Sequence, residues 1–175
     1  MRYVLAALFA SAALAPAHAA DAPAKTQIEL KNSAGAAVGT ATLTEATSGV
    51  LVRLEVKGLP PGWHGLHLHE TGDCSKADFT SAGGHVHAMP SKVHGLLNPD
   101  FNEAGDLPNL HVGADGTGQA EMLTTFVSLK SGGARQALQD KDGSAIVIHA
   151  SPDDYASQPI GGAGARIACG VIPGQ

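Results

Sequence analysis

Glycine and proline break this chain at short intervals, with 22 glycines and 10 prolines spread over 175 residues. Glycine weakens a helix interior and proline removes one of its hydrogen bonds, so little room is left for long helices. Between the breaks lie short runs that alternate in polarity or are rich in β-branched residues, the pattern of strands. They fall at 27–30, 38–47, 49–59, 65–70, 109–112, 118–127, 144–149 and 165–172. In LVRLEVK, Leu51, Leu54 and Val56 mix with Arg53, Glu55 and Lys57, as on a half-buried strand. One short helical candidate occupies 133–139. Strands joined by tight turns predict an all-β, Greek-key antiparallel barrel or sandwich of about eight strands.

Two connecting segments, 71–108 and 150–165, are long for a compact domain, and loops of that length are usually functional. The first contains HVHAMPSKVHGLLNPDFNEAGD (85–106), where three histidines and several acids sit among prolines, glycines and asparagines. Such a segment is no regular helix, and it holds more ligand-type residues than an ordinary surface loop.

The first 19 residues, MRYVLAALFASAALAPAHA, have the plan of a secretory leader. Arg2 supplies the charge, the run from Val4 to Leu14 the apolar core, and Ala17-His18-Ala19 the cleavage site. The expected mature chain, 20–175, is one domain that is periplasmic or secreted, with no membrane anchor. Losing Arg2 takes the formal charge from −5 to −6, which excludes nucleic-acid binding by bulk electrostatics. In an oxidising compartment the only two cysteines, Cys74 and Cys169, can pair; two buried free thiols are the alternative.

In GLHLHE (65–70), Leu66 and Leu68 alternate with His67 and His69, which puts both imidazoles on one face of a strand. Neutral imidazole binds copper and zinc well, and a same-face pair offers two ligands from a rigid element. Further histidines follow from a glycine-flanked loop, His85 and His94, and from a late strand end, His149. His64 reads as a packed structural residue and His111 as a half-exposed strand residue.

At either end of the chain, GLHLHETGDCS (65–75) and GGAGARIACGVI (161–172) are similar to the two signatures of copper–zinc superoxide dismutases. SAGGH, GDLPNL and IHASPDDY resemble the blocks between them, in the family's order. The likeness covers nearly the whole mature chain and fits the secreted bacterial branch. It implies dismutation of superoxide to oxygen and hydrogen peroxide, with copper on His67, His69, His85 and His149. It also implies that His85 bridges to zinc, which His94 and Asp106 share. By the same resemblance Arg166 meets the substrate anion, Asp153 orients a histidine of each metal, and Cys74 pairs with Cys169. Either a monomer or a homodimer is compatible with it.

The chain departs from the family in three places. Glu103 stands where a third zinc histidine would precede the aspartate. Either it ligates zinc as a carboxylate or it faces solvent and the zinc site is weak or empty. His87 follows the bridging histidine in place of the usual residues, as a substitute ligand or a solvent-facing one. The 150–165 segment has no lysine to attract an anion, which leaves that task to the metal, Arg166 and nearby Lys92. Two rival functions on the same scaffold are a copper-only dismutase and a periplasmic copper or zinc carrier without useful turnover.

Overall fold

The computed structural model describes residues 22–175, so the leader lies outside the described residues. Its strands are β1 (Lys25–Asn32), β2 (Ala37–Ala46), β3 (Gly49–Val56), β4 (Gly62–His69), β5 (Asp106–Val112) and β6 (Gly118–Thr124). Two short strands, β7 (Val127–Ser128) and β8 (Gln136–Ala137), precede β9 (Ser144–His149) and β10 (Arg166–Ile172). Eight of them form one antiparallel sheet in the order β5-β4-β9-β10-β1-β2-β3-β6. The end strands β5 and β6 lie side by side, so the sheet rolls into a nearly closed barrel. Around the barrel β4, β5, β6 and β3 are neighbours in that order, a Greek key closed by the β3–β4 connection, residues 57–61. Among the described residues no helix is long and apolar enough to cross a membrane.

The period-two pattern sets the core. On β3, Val52, Leu54 and Val56 point inward while Arg53 and Glu55 are exposed, and Leu51 takes the outer face. Leu30, Leu43, Leu54, Leu66, Leu68, Leu107, Leu110, Ile146, Ile148 and Ile172 are fully buried in the barrel. Each contributes about 1.5–3 kcal/mol by leaving water. The 133–139 segment is not helical. Gln136 and Ala137 pair in parallel with Val127 and Ser128, because that pairing satisfies their backbone where a short, glycine-led run has no stable helix to offer.

β4 and β9 are buried on both faces. Their inner face belongs to the core, and the two long loops cover the outer one. Phe79 and Ala82 of the first loop pack on Ala145, Val147 and Cys169. The Cys74–Cys169 disulfide pins that loop to β10, with Cα atoms 5.9 Å apart.

Candidate metal centre

Strand register assembles the site. β4 lies between β5 and β9, so His67 faces Asp106 on one side and Val147 on the other. On the next pair His149 faces Arg166. The first long loop then returns to the end of β4. Glu70 N–H bonds to the Gly84 carbonyl, Val86 N–H to Leu68, Leu68 N–H to Gly105 and Gly105 N–H to Val86. These bonds place His85 opposite His69 and Glu103 opposite His87. Gly105 is required there, because a β-carbon would collide with the Leu68 carbonyl and approach the Val86 nitrogen to 2.8 Å.

Two clusters result. In the first, ligand atoms of His67, His69, His85 and His149 lie within 4.8 Å of one another, on side chains that are all buried. His67 Nδ1 and the Nε2 atoms of His69, His85 and His149 have no hydrogen-bond partner. The other nitrogen of each ring is engaged. His69 and His149 donate from Nδ1 to the carbonyls of Gly83 and Gly164, both at 3.0 Å. His67 Nε2 meets Asp153 Oδ2 at 2.8 Å, and His85 Nδ1 faces Asp106 and Glu103. Buried nitrogens left without partners are costly, whereas four that converge with their opposite nitrogens held form a ligand set for a soft or borderline cation. Copper fits that donor set.

In the second cluster His85 Nδ1 lies 2.8 Å from Asp106 Oδ1 and 2.9 Å from Glu103 Oε2. His94 Nδ1 lies 2.8 Å from Asp106 Oδ2 and 3.3 Å from Glu103 Oε2. Proximity also groups His67 with His85, His94 and Asp106. One of its nitrogens is held by Asp153, however, and the other belongs to the first cluster. Glu103 is the better fourth member: it is buried, and its carboxylate reaches both imidazoles. Two imidazoles and two carboxylates suit zinc. His87 is not among the convergent groups; its Nδ1 bonds to the His85 carbonyl at 3.0 Å, and the side chain is half-exposed.

The two clusters differ in electrostatics. Burial disfavours the charged form of His67, His69 and His149 and lowers all three, His149 to about 3, with neighbouring imidazoles adding to the effect. Neutral rings with free lone pairs are ready ligands. Burial opposes charge on His85 and His94 too, but the adjoining carboxylates outweigh it and raise both, His94 to about 11. Burial would raise Asp106, Glu103 and Asp153, yet their histidine hydrogen bonds hold all three below the usual carboxylate range. A cation entering the second cluster therefore displaces protons.

Around the clusters, Arg166 donates from Nη1 to the Phe79 carbonyl at 2.6 Å and from Nη2 to Gly83 at 2.7 Å. Gly83 thus fastens both Arg166 and His69. Asp153 spans the clusters through His67 Nε2 and His94 Nε2, at 2.8 and 3.1 Å. Lys92 is paired with Glu70 at 3.2 Å, which neutralises much of its pull on an anion. His64 is structural: its ring sits between the carbonyls of His149 and Pro60, at 2.7 and 2.8 Å. His111 is exposed and packs edge-on against Trp63. Two residues that the sequence does not single out also reach the site: Asn109, inside the GDLPNL block, and Gln158, which carries no signal.

A β-barrel that carries two ligand clusters sharing one histidine on its outer face defines a binuclear metalloprotein. The family model for copper/zinc superoxide dismutase (SODC) matches residues 37–172, and the chain belongs to that family. It is 59% identical over 143 residues to the Cu-Zn superoxide dismutase of Caulobacter vibrioides, covering 82% of each chain. A crystal structure of a double mutant of a SOD-like protein from Bacillus subtilis superposes with a TM-score of 0.80 at 43% identity, covering 85% of this chain and 97% of that one. The Cu/Zn superoxide dismutase of Brucella abortus gives 0.68 at 30% identity, covering 85% and 99%.

Proposed function

We propose that this protein dismutates superoxide, with copper held by His67, His69, His85 and His149 and zinc by His85, His94, Glu103 and Asp106. The observation that carries this reading is the set of four buried imidazole nitrogens that converge without partners. Bound there, copper supplies a one-electron redox couple and zinc a redox-silent positive charge. Two superoxide ions and two protons become one oxygen and one hydrogen peroxide. Arg166, fixed by two carbonyls beside the first cluster, holds the incoming anion and stabilises its developing charge. His85 presents one ring nitrogen to each cluster; whenever its Nε2 is not engaged as a ligand, that atom would hold a proton where the reduced substrate must receive it. Asp153 keeps His67 and His94 in their ligand tautomers.

The buried position of Glu103 favours a two-metal centre over a copper-only one. Metal content and superoxide consumption, measured on the same sample, decide the matter. Two metals per chain with rapid consumption is the expected result. One copper with full activity would establish the copper-only enzyme, and tight copper binding without turnover a carrier. The leader pattern and the disulfide support export to the periplasm or beyond. Fractionation of cells that express the full chain tests that part.

A further inference from the structure

Two side-chain carboxamides grip the backbones of the residues that join the two clusters. Asn109, on β5, accepts the Asp153 N–H at Oδ1 and donates from Nδ2 to the Asp153 carbonyl, both at 2.9 Å. Gln158, in the 150–165 loop, does the same to His94. Its Oε1 accepts the His94 N–H at 3.0 Å and its Nε2 donates to the His94 carbonyl at 2.8 Å. Asn98 adds a weaker bond to that carbonyl at 3.3 Å. Asn109 donates its own N–H to the Tyr155 hydroxyl at 2.7 Å, and the Tyr155 carbonyl accepts from Leu97.

The gripped residues then meet, His94 Nε2 to Asp153 Oδ1, at 3.1 Å. Gly161 closes over them at φ 59°; a β-carbon there would collide with Asp153 Oδ1 and lie 2.9 Å from His94 Nε2. The grips cross. The barrel holds the loop's Asp153, and the loop holds His94 of the other segment. A two-point amide grip fixes the peptide groups on both sides of a residue, and so fixes the direction in which its side chain leaves the backbone.

We propose that Asn109 and Gln158 are positioning residues that hold the His94–Asp153 pair in ligand geometry before metal arrives, pre-organising the second site for zinc. The proposal rests on the reading of His94 as a zinc ligand. Gln158 is exposed and Asn109 half-buried, and neither belongs to the hydrophobic core.

The test is Zn²⁺ affinity of the metal-free chain, measured against a chromophoric chelator. Asn109→Ala and Gln158→Ala are each expected to bind zinc about tenfold more weakly, the scale of losing outer support to a ligand. Asn102→Ala removes a carboxamide bond to Val93 N–H in the same segment, at 2.9 Å, and is expected to stay within about twofold. In an Asp153→Ala background Asn109→Ala should add less than about twofold, because Asn109 acts through Asp153. Unchanged affinity in both single variants would overturn the proposal. So would an equal loss in Asn102→Ala, or an undiminished Asn109 effect in the Asp153→Ala background. Circular dichroism reports folding of each variant, and the exposed Gln158→Ala carries the test if Asn109→Ala does not fold. Wild-type protein that takes up no zinc would refute His94 as a ligand, a result separate from all of these.

Discussion

Glu103 Oε2 lies 2.9 Å from Nδ1 of His85, which puts a carboxylate inside the second cluster. The contact follows from backbone pairing two residues away, since the bridge between His87 and Glu103 turns the carboxylate inward. A second carboxylate beside Asp106 gives the site a more anionic donor set.

Glu103→Ala should lower zinc affinity by about 10–100-fold, the range for losing a group that engages metal-binding residues. Copper affinity should change far less, because Glu103 contacts Nδ1 of His85 and of His94 and none of the four unpartnered nitrogens. Competition titrations with each metal check this. Equal zinc affinity in wild type and variant would remove Glu103 from the ligand set.

Arg166→Ala should reduce the second-order rate of superoxide consumption by about 10²-fold, as expected for the loss of a fixed charged donor. Copper content should stay near wild type, because the guanidinium is bonded to carbonyls and to no histidine nitrogen. Pulse radiolysis on copper-quantified samples separates the two effects. A loss of activity matched by a loss of copper would assign Arg166 a structural role.

Metal-free protein should lose stability as pH falls from about 6.5, the unfolded histidine value, toward 4. His67, His69 and His149 have depressed folded values, so the unfolded chain takes up their protons first. The slope approaches about 1.4 kcal/mol per pH unit for each histidine concerned. His94, raised to about 11, acts in another window: its contribution is full below about 6.5 and fades as pH rises through 11. The depressed carboxylates act only below about pH 4. Calorimetry of chelator-treated protein should therefore show a falling Tm between those limits, and a flat Tm would contradict the neutral copper-side rings.

Reducing Cys74–Cys169, whose partners are 95 residues apart, should cost about 4–5 kcal/mol in the chain-entropy model. The loss should extend to metal binding, because the same loop carries the Gly83 carbonyl that orients His69. Denaturation with and without a reductant measures the first effect, and copper titration of the reduced chain the second. Unchanged copper affinity after reduction would show that Arg166 alone suffices to hold the loop.

Much of this could be read from local pattern. Side chains on a strand alternate, so GLHLHE put His67 and His69 together whatever the rest of the chain did. The leader-like start, the two signatures and the single cysteine pair were equally visible in one dimension. Residues 133–139 misled because a short run with weak period fits a helix or an irregular segment alike, and the partner that settled it, Val127–Ser128, comes from elsewhere.

The sequence by itself determined the all-β architecture, the histidine pair on β4 and the blocks that mark the family. Only the tertiary structure decided that Glu103 turns inward while His87 does not, that both faces of β4 are covered, and that Asn109 and Gln158 grip the bridge between the clusters. These are consequences of register between segments far apart in the chain. A polar side chain in a loop carries no mark of the partner it will meet, because that partner is set by which strands lie side by side and not by its neighbours in sequence.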